Sequence, residues 1–149
     1  DVYLTWGEPP EDAAGRIAEV RHRATAAGRE LRYGIRFHVI ARPTSEEAWA
    51  MADALLAGIS DEAKAAAAAD FARTESAGQR RQATIVGSFT DVADRIEEYH
   101  EAGFDAFVLS GYPHLEEAYW FGEGVMPILR RRGLIPELDH TDGQIFSFR

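Results

Sequence analysis

Apolar and polar positions along this chain fall into short blocks, and the period changes from block to block. Val2-Tyr3-Leu4-Thr5-Trp6 is a run of β-branched, aromatic and aliphatic residues that predicts a strand, stopped by Gly7-Glu8-Pro9-Pro10. From Glu11 the spacing lengthens to the helical period. Ala14, Ile17, Val20 and Ala24 form the inward stripe as far as Gly28, Glu11 and Asp12 occupy the first turn, and Arg16, Glu19, Arg21 and Arg23 make the wet face. A second strand runs from Leu31 to Ala41, with Ile35, Phe37 and Val39 on one side and Arg36, His38 and Ile40 on the other. Thr44 and Glu47 have the spacing of a capping box and open a helix with a buried stripe of Ala48, Met51, Ala52 and Leu55.

Ser60-Asp61-Glu62 caps a further, Ala-rich helix that reaches about Arg73 and serves as cover. Glu75 to Gln82 has no period and reads as a loop. Thr84-Ile85-Val86-Gly87 is a short strand, and Ser88 with Asp91 is a second helix-start signal, followed by a stripe of Val92, Ile96 and Tyr99 up to Gly103. Ala106 to Leu109 has the length of a buried strand. It runs through the turn Ser110-Gly111-Tyr112-Pro113 into a helix in which Leu115, Ala118 and Tyr119 share a face. Gly122, Gly124 and Pro127 interrupt the last helix, and Gly133 closes it.

Strand and helix therefore alternate, which predicts an α/β fold with a parallel sheet and crossover helices. Four strands cannot close a barrel that needs eight. The pattern fits either half of a (β/α)8 barrel or a small open sheet. Residues 1–133 form one such domain and 134–149 an irregular tail. The chain opens directly in strand-like sequence without Met, and an apolar strand at a raw terminus needs a neighbour to pair with, so it reads as the C-terminal part of a longer protein.

Composition narrows the partners. A formal net charge of −9 argues against nucleic acid. Without cysteine there is neither a disulfide nor a thiolate metal site, which fits a cytoplasmic setting. No apolar run is long enough to span a membrane. The five histidines have no ligand spacing, so no metal is expected.

In α/β folds ligands sit at the C-terminal ends of strands, and the candidate chemistry gathers there. Arg36 and His38 lie on one face of a strand that is expected to be buried on both sides. Such charges need a salt-bridge partner, a solvent-facing strand end, or a purpose. The purpose would be an anion pocket, with the planar fork of Arg36 on sulfonate, phosphate or carboxylate oxygens and His38 exchanging a proton. Tyr112 offers either packing or a hydroxyl donor. Trp6 plugs the end of the sheet or walls a flat ligand. His114, Glu116 and Glu117 are read as ordinary residues of a helix start, the two carboxylates complementing its dipole.

Four stretches closely resemble the C-terminal half of the FMNH2-dependent alkanesulfonate monooxygenases, of the bacterial-luciferase-like flavin monooxygenases. They are Asp1 to Pro9, Gly34 to Ile40, Phe71 to Thr74, and Phe107 to Tyr119 with its SGYPHLEEAY motif. The resemblance runs to about Met126 and implies the C-terminal half of a (β/α)8 barrel with four parallel strands. It also implies FMN as FMNH2, O2 as co-substrate, a separate NAD(P)H-dependent flavin reductase, and an alkanesulfonate cleaved at C–S to aldehyde and sulfite. On this resemblance Arg36, His38 and Tyr112 are catalytic, Trp6, Arg36 and Tyr112 bind substrate, and Ser110 and Tyr112 touch the cofactor.

Against the family pattern the N-terminal strands are missing, with a cysteine, a histidine and most of the phosphate cradle. The mobile segment between Arg81 and Ala83, with another arginine, is shortened to Gln82. The chain thus resembles a truncated copy, either catalytic or a degenerate relative. A half-barrel with open edges and an uncovered apolar face is expected to associate with itself.

Overall fold

The computed structural model describes residues 1–57 and 84–136. In chain order they form β1 (Val2–Trp6), α1 (Pro10–Ala26), β2 (Arg32–Arg42), α2 (Ser45–Ala57), β3 (Thr84–Ser88), α3 (Phe89–Glu101), β4 (Ala106–Ser110), α4 (His114–Trp120), a π-helical turn (Phe121–Val125) and α5 (Met126–Arg131). The expected helix at 60–73, the loop at 75–82 with its shortened segment, and the tail from 137 on lie outside the described residues.

Every strand pairing is parallel, and β2 makes all of them. Gly34, Ile35 and Arg36 pair with β1 and β4 at once, so these two strands lie on opposite edges of β2. His38 pairs with both Thr84 of β3 and Ser110 of β4, so β3 follows β1 along the same edge. The eleven residues of β2 make this possible: its first half holds β1 and its second half β3.

The core sits on one side of the sheet. Tyr33, Ile35, Phe37 and Val39 of β2 pack with Ala13 and Ile17 of α1, Val92, Ile96 and Tyr99 of α3, and Phe104, Val125 and Leu129. The Phe37 and Tyr99 ring centroids are 4.7 Å apart. Burial pushes the Tyr99 phenol up to about 12, and its hydroxyl donates to the Glu8 carbonyl at 2.6 Å.

Both capping boxes form. Glu47 N–H donates to Thr44 Oγ1 and Thr44 N–H to Glu47 Oε2, each at 3.2 Å. Asp91 N–H donates to Ser88 Oγ at 3.1 Å, and Ser88 N–H to Asp91 Oδ2 at 2.9 Å. The Ser45 hydroxyl also donates to Asp91 Oδ2, which ties the start of α2 to the start of α3. The hydrogen bond from Ser45, then those from Ser88, hold the Asp91 carboxyl below its ordinary value of 3.8.

A carboxyl depressed in the folded state adds stability above its unfolded pKa and loses it as pH falls through the folded value. Asp91→Asn is therefore expected to cost about 1 kcal/mol at neutral pH. It should also flatten the loss of stability that the unaltered chain shows below about pH 4. Urea unfolding at several pH values checks both, and parallel curves for the two proteins would contradict the assignment.

Four details depart from the sequence pattern. Ala13 rather than Ala14 faces the core, because Ala13, Ile17, Val20 and Ala24 keep a strict four-three-four spacing. Strand β2 is covered on both sides at Gly34 and again near its end, where Ile40, Ala41 and Arg42 are buried; between them Arg36 and His38 are exposed. On α4 the face shared by Leu115, Ala118 and Tyr119 points outward and Glu117 inward. Glu117, Phe121 and Val125 follow one another at four-residue spacing, and that stripe meets the core. Leu134 and Ile135, at the start of the expected tail, pack against the core. Among the described residues no helix is long and apolar enough to cross a membrane.

Candidate functional site

Strand alternation on β2 sets the site. Odd positions go to the core, so Arg36 and His38 project from the opposite, open face of the sheet. Register then supplies their neighbours. Trp6, the last residue of β1, pairs with Arg36 on one edge, and Val108 of β4 pairs with it on the other. Gly34 leaves room beside Arg36, and the side chains of Val2 and Leu4 lean over it: a Cβ there would stand 2.9 Å from Leu4 Cδ1 and 3.3 Å from Val2 Cγ1. Val2, Leu4, Trp6 and Val108 are all exposed, Trp6 by 57%. Large apolar side chains left open on one sheet face mark a surface built to be covered or occupied.

Within that face the guanidinium carbon of Arg36 lies 4.7 Å from the centre of the Trp6 ring, a cation–π contact that leaves its N–H groups unused. Among the described residues no carboxylate pairs with Arg36. Across the β2–β4 ladder, His38 Nδ1 is 3.0 Å from Ser110 Oγ, and the same hydroxyl donates to the Phe37 carbonyl at 3.4 Å. The result is a row from the end of β1 across the middle of β2 to the end of β4: indole, guanidinium, imidazole, hydroxyl. Chemically it offers a flat apolar wall, a positive charge with free donors, and an imidazole that can give or take a proton.

Tyr112 stands outside this row. It follows β4, is 66% exposed, and its ring meets His114 edge-on with centroids 6.1 Å apart. His114 Nδ1 is hydrogen-bonded to the Gly111 carbonyl. Of the residues picked from sequence, Trp6, Arg36, His38 and Ser110 come together, whereas Tyr112 and His114 form a separate pair at the turn. Arg36 and His38 were expected in a strand buried on both sides. They are exposed because the cover on that face, which buries Ile40 and Arg42, does not reach them.

Behind the turn lies a cavity of about 450 Å³, lined by Val39, Phe107, Leu109, His114, Glu117 and Phe121 among others. One lining residue, Glu117, belongs to a pair that sequence reasoning missed. Arg42 Nη2 donates to Glu117 Oε1 at 2.5 Å, with side-chain exposures of 10% and 5%. Arg42 Nη1 donates to the Ala41 carbonyl at 2.7 Å, and its guanidinium lies 5.2 Å from the Trp120 ring centre. Glu117 is thus a buried partner, whereas a dipole-complementing surface charge was expected. Its four-residue spacing to Phe121 and Val125 was the available signal.

The turn itself depends on Gly111. A Cβ there would stand 2.5 Å from Glu117 Cβ and Cγ and 3.0 Å from the Val39 carbonyl oxygen, so neither strand nor helix has room for it. Gly111→Ala is expected to destabilise the chain by roughly 1–3 kcal/mol through this overpacking and to displace Ser110 from His38. Thermal unfolding checks the first part; an unchanged melting temperature would contradict it.

Known structures share this fold. Riboflavin lyase (RcaE), solved with modified FMN and its substrate riboflavin, superposes with a TM-score of 0.75 at 24% identity, over 91% of this chain and 40% of that one. The long-chain alkane monooxygenase LadA gives 0.73 at 23% identity, over 91% and 37%. The EDTA monooxygenase EmoA from Chelativorans sp. BNC1 gives 0.70 at 22%, over 91% and 43%. At these identities the likeness is one of fold, and this chain spans about two-fifths of the length of the three: its open parallel sheet with flanking helices is part of a barrel of their kind. In sequence, residues 1–106 match the luciferase-like monooxygenases, and the chain belongs to that bacterial-luciferase family.

Proposed function

We propose that this chain forms the anion-handling half of a reduced-flavin monooxygenase that cleaves alkanesulfonates at the C–S bond to an aldehyde and sulfite. The observation that carries the reading is the Arg36 guanidinium, set over the Trp6 ring with no described carboxylate partner, beside the His38 imidazole on the open sheet face. Support for the sulfonate rather than another substrate comes from the SGYPHLEEAY stretch.

The residues on this face fit the ring end of a flavin: Trp6, Leu4 and Val108 give an apolar plane, Arg36 gives nitrogen donors and His38 a ring nitrogen at its centre. Reduced FMN with O2 would supply the oxygenating chemistry, and a separate NAD(P)H-dependent flavin reductase would supply the reduced FMN. The chain's own contribution is then specific. Arg36 binds the sulfonate oxygens and neutralises their charge as it grows. Trp6 holds that guanidinium in place and keeps water from one side. His38 takes or gives a proton beside it, and Ser110 adjoins the cofactor. Tyr112 enters as a substrate and cofactor contact through the resemblance alone.

A second reading is favoured by the exposure of Val2, Leu4, Trp6 and Val108. In it the chain is a non-catalytic half-barrel that binds flavin weakly and associates with itself through that face. One experiment separates the two. The chain is titrated with reduced FMN without oxygen, then given octanesulfonate, a flavin reductase, NADH and air, and sulfite is measured. Sulfite is the expected outcome; binding without sulfite leaves the second reading, and neither binding nor sulfite contradicts both.

A further inference from the structure

We propose that Ser110 is a positioning residue for His38: it fixes the neutral imidazole with the proton on Nδ1, so that Nε2 is a bare base on the open face of the sheet. The assignment of a proton-accepting task to that nitrogen rests on the reading above; the tautomer itself does not.

The inference follows from counting protons. His38 and Ser110 are register partners on adjacent strands, so the ladder places their side chains together on the open face. The Ser110 hydroxyl has one hydrogen and two neighbours, His38 Nδ1 at 3.0 Å and the Phe37 carbonyl oxygen at 3.4 Å. A carbonyl oxygen accepts and never donates. Both contacts become hydrogen bonds at once in a single arrangement: the hydroxyl donates to Phe37, and Nδ1–H donates to the hydroxyl oxygen. With the hydroxyl turned toward Nδ1 instead, one of the two is lost. The hydrogen bond on one ring nitrogen decides what the other can do. Here it leaves Nε2 with its lone pair, on a strand face it shares with Arg36. A base beside a fixed cation, both ahead of an apolar wall, can accept a proton from a bound anion or its neighbour without moving the charge that holds the anion.

The test needs no turnover. Two-bond proton–nitrogen correlation on the full chain with 15N-labelled histidine, recorded above the range where histidine titrates, reports which ring nitrogen carries the proton. His38→Asn identifies the His38 signals among the five histidines. The expected result is a protonated Nδ1 and a bare Nε2. Ser110→Ala should move the proton to Nε2, and Ser110→Thr, which keeps the hydroxyl, should restore Nδ1–H. Ser110 is small and only half-buried, and the backbone spectrum confirms that each variant is folded. An Nε2–H tautomer in the unaltered chain, or a spectrum unmoved by Ser110→Ala, overturns the proposal. If the tautomer is as expected and no sulfite is formed, the sulfonate reading fails and the role of Ser110 stands.

Discussion

Arg42→Ala is expected to lower the stability of the fold by about 3–5 kcal/mol, the largest effect of any single change away from the apolar core. The substitution leaves the Glu117 carboxylate at 5% exposure with no cation beside it. Glu117 Oε2 already lacks a partner among the described residues, so the lost hydrogen bond from Arg42 cannot be made up on the other oxygen. The guanidinium also fills space against the Trp120 ring, and its removal opens that contact. The pair joins the end of β2 to the middle of α4, across 75 residues of chain.

A buried ion pair need not stabilise a protein relative to apolar residues of similar volume, because desolvation offsets the attraction. The double variant Arg42→Met with Glu117→Leu is accordingly expected to recover most of the loss. Urea unfolding of the three proteins measures both effects. A loss below about 1 kcal/mol for Arg42→Ala would mean that the pair behaves as a surface one.

On the proposed sulfonate reading, Arg36→Ala is expected to reduce sulfite formation by about a hundredfold or more, the range seen when one preorganised donor to a developing charge is removed. Stability should hardly change, because the side chain is exposed and its cation–π contact with Trp6 is worth about 0.5–1 kcal/mol at such a site. Arg36→Lys should restore little. An ammonium is a point charge on a flexible stem; it neither stacks on Trp6 in a plane nor offers a two-pronged donor to sulfonate oxygens. Steady-state sulfite release with octanesulfonate, read as kcat/KM, makes the comparison. Unchanged turnover in Arg36→Ala would remove Arg36 from the site.

The rhythm of strands and helices was legible in the sequence because local signals agreed with one another. Both capping boxes, at Thr44 and Ser88, could be read from two residues each, and both form. The alternation in β2 put Ile35, Phe37 and Val39 on one side and Arg36 and His38 on the other, and that division is the one observed. Which side is open was not legible. It depends on what covers the sheet, a property of the whole arrangement rather than of β2.

The same reason explains α4, where Leu115 and Tyr119 looked like an inward stripe and Glu117 like surface charge. The helix turns the other way because Glu117 finds Arg42 75 residues earlier in the chain. Composition along a single helix carries no trace of so distant a partner. The contacts of Arg36 with Trp6 and of His38 with Ser110 are likewise products of register, and register between strands far apart in sequence cannot be read from either strand alone.

Everything proposed for function rests on the open sheet face, and the direct measurement is an NMR titration of the 15N-labelled chain with octanesulfonate, alone and with reduced FMN under anaerobic conditions. The expected result is that the largest shifts fall on the Trp6 indole N–H, the Arg36 side-chain N–H and the His38 ring, and that they vanish in Arg36→Ala. Shifts confined to the cavity around Phe107, His114 and Phe121, or no shifts at all, would contradict it.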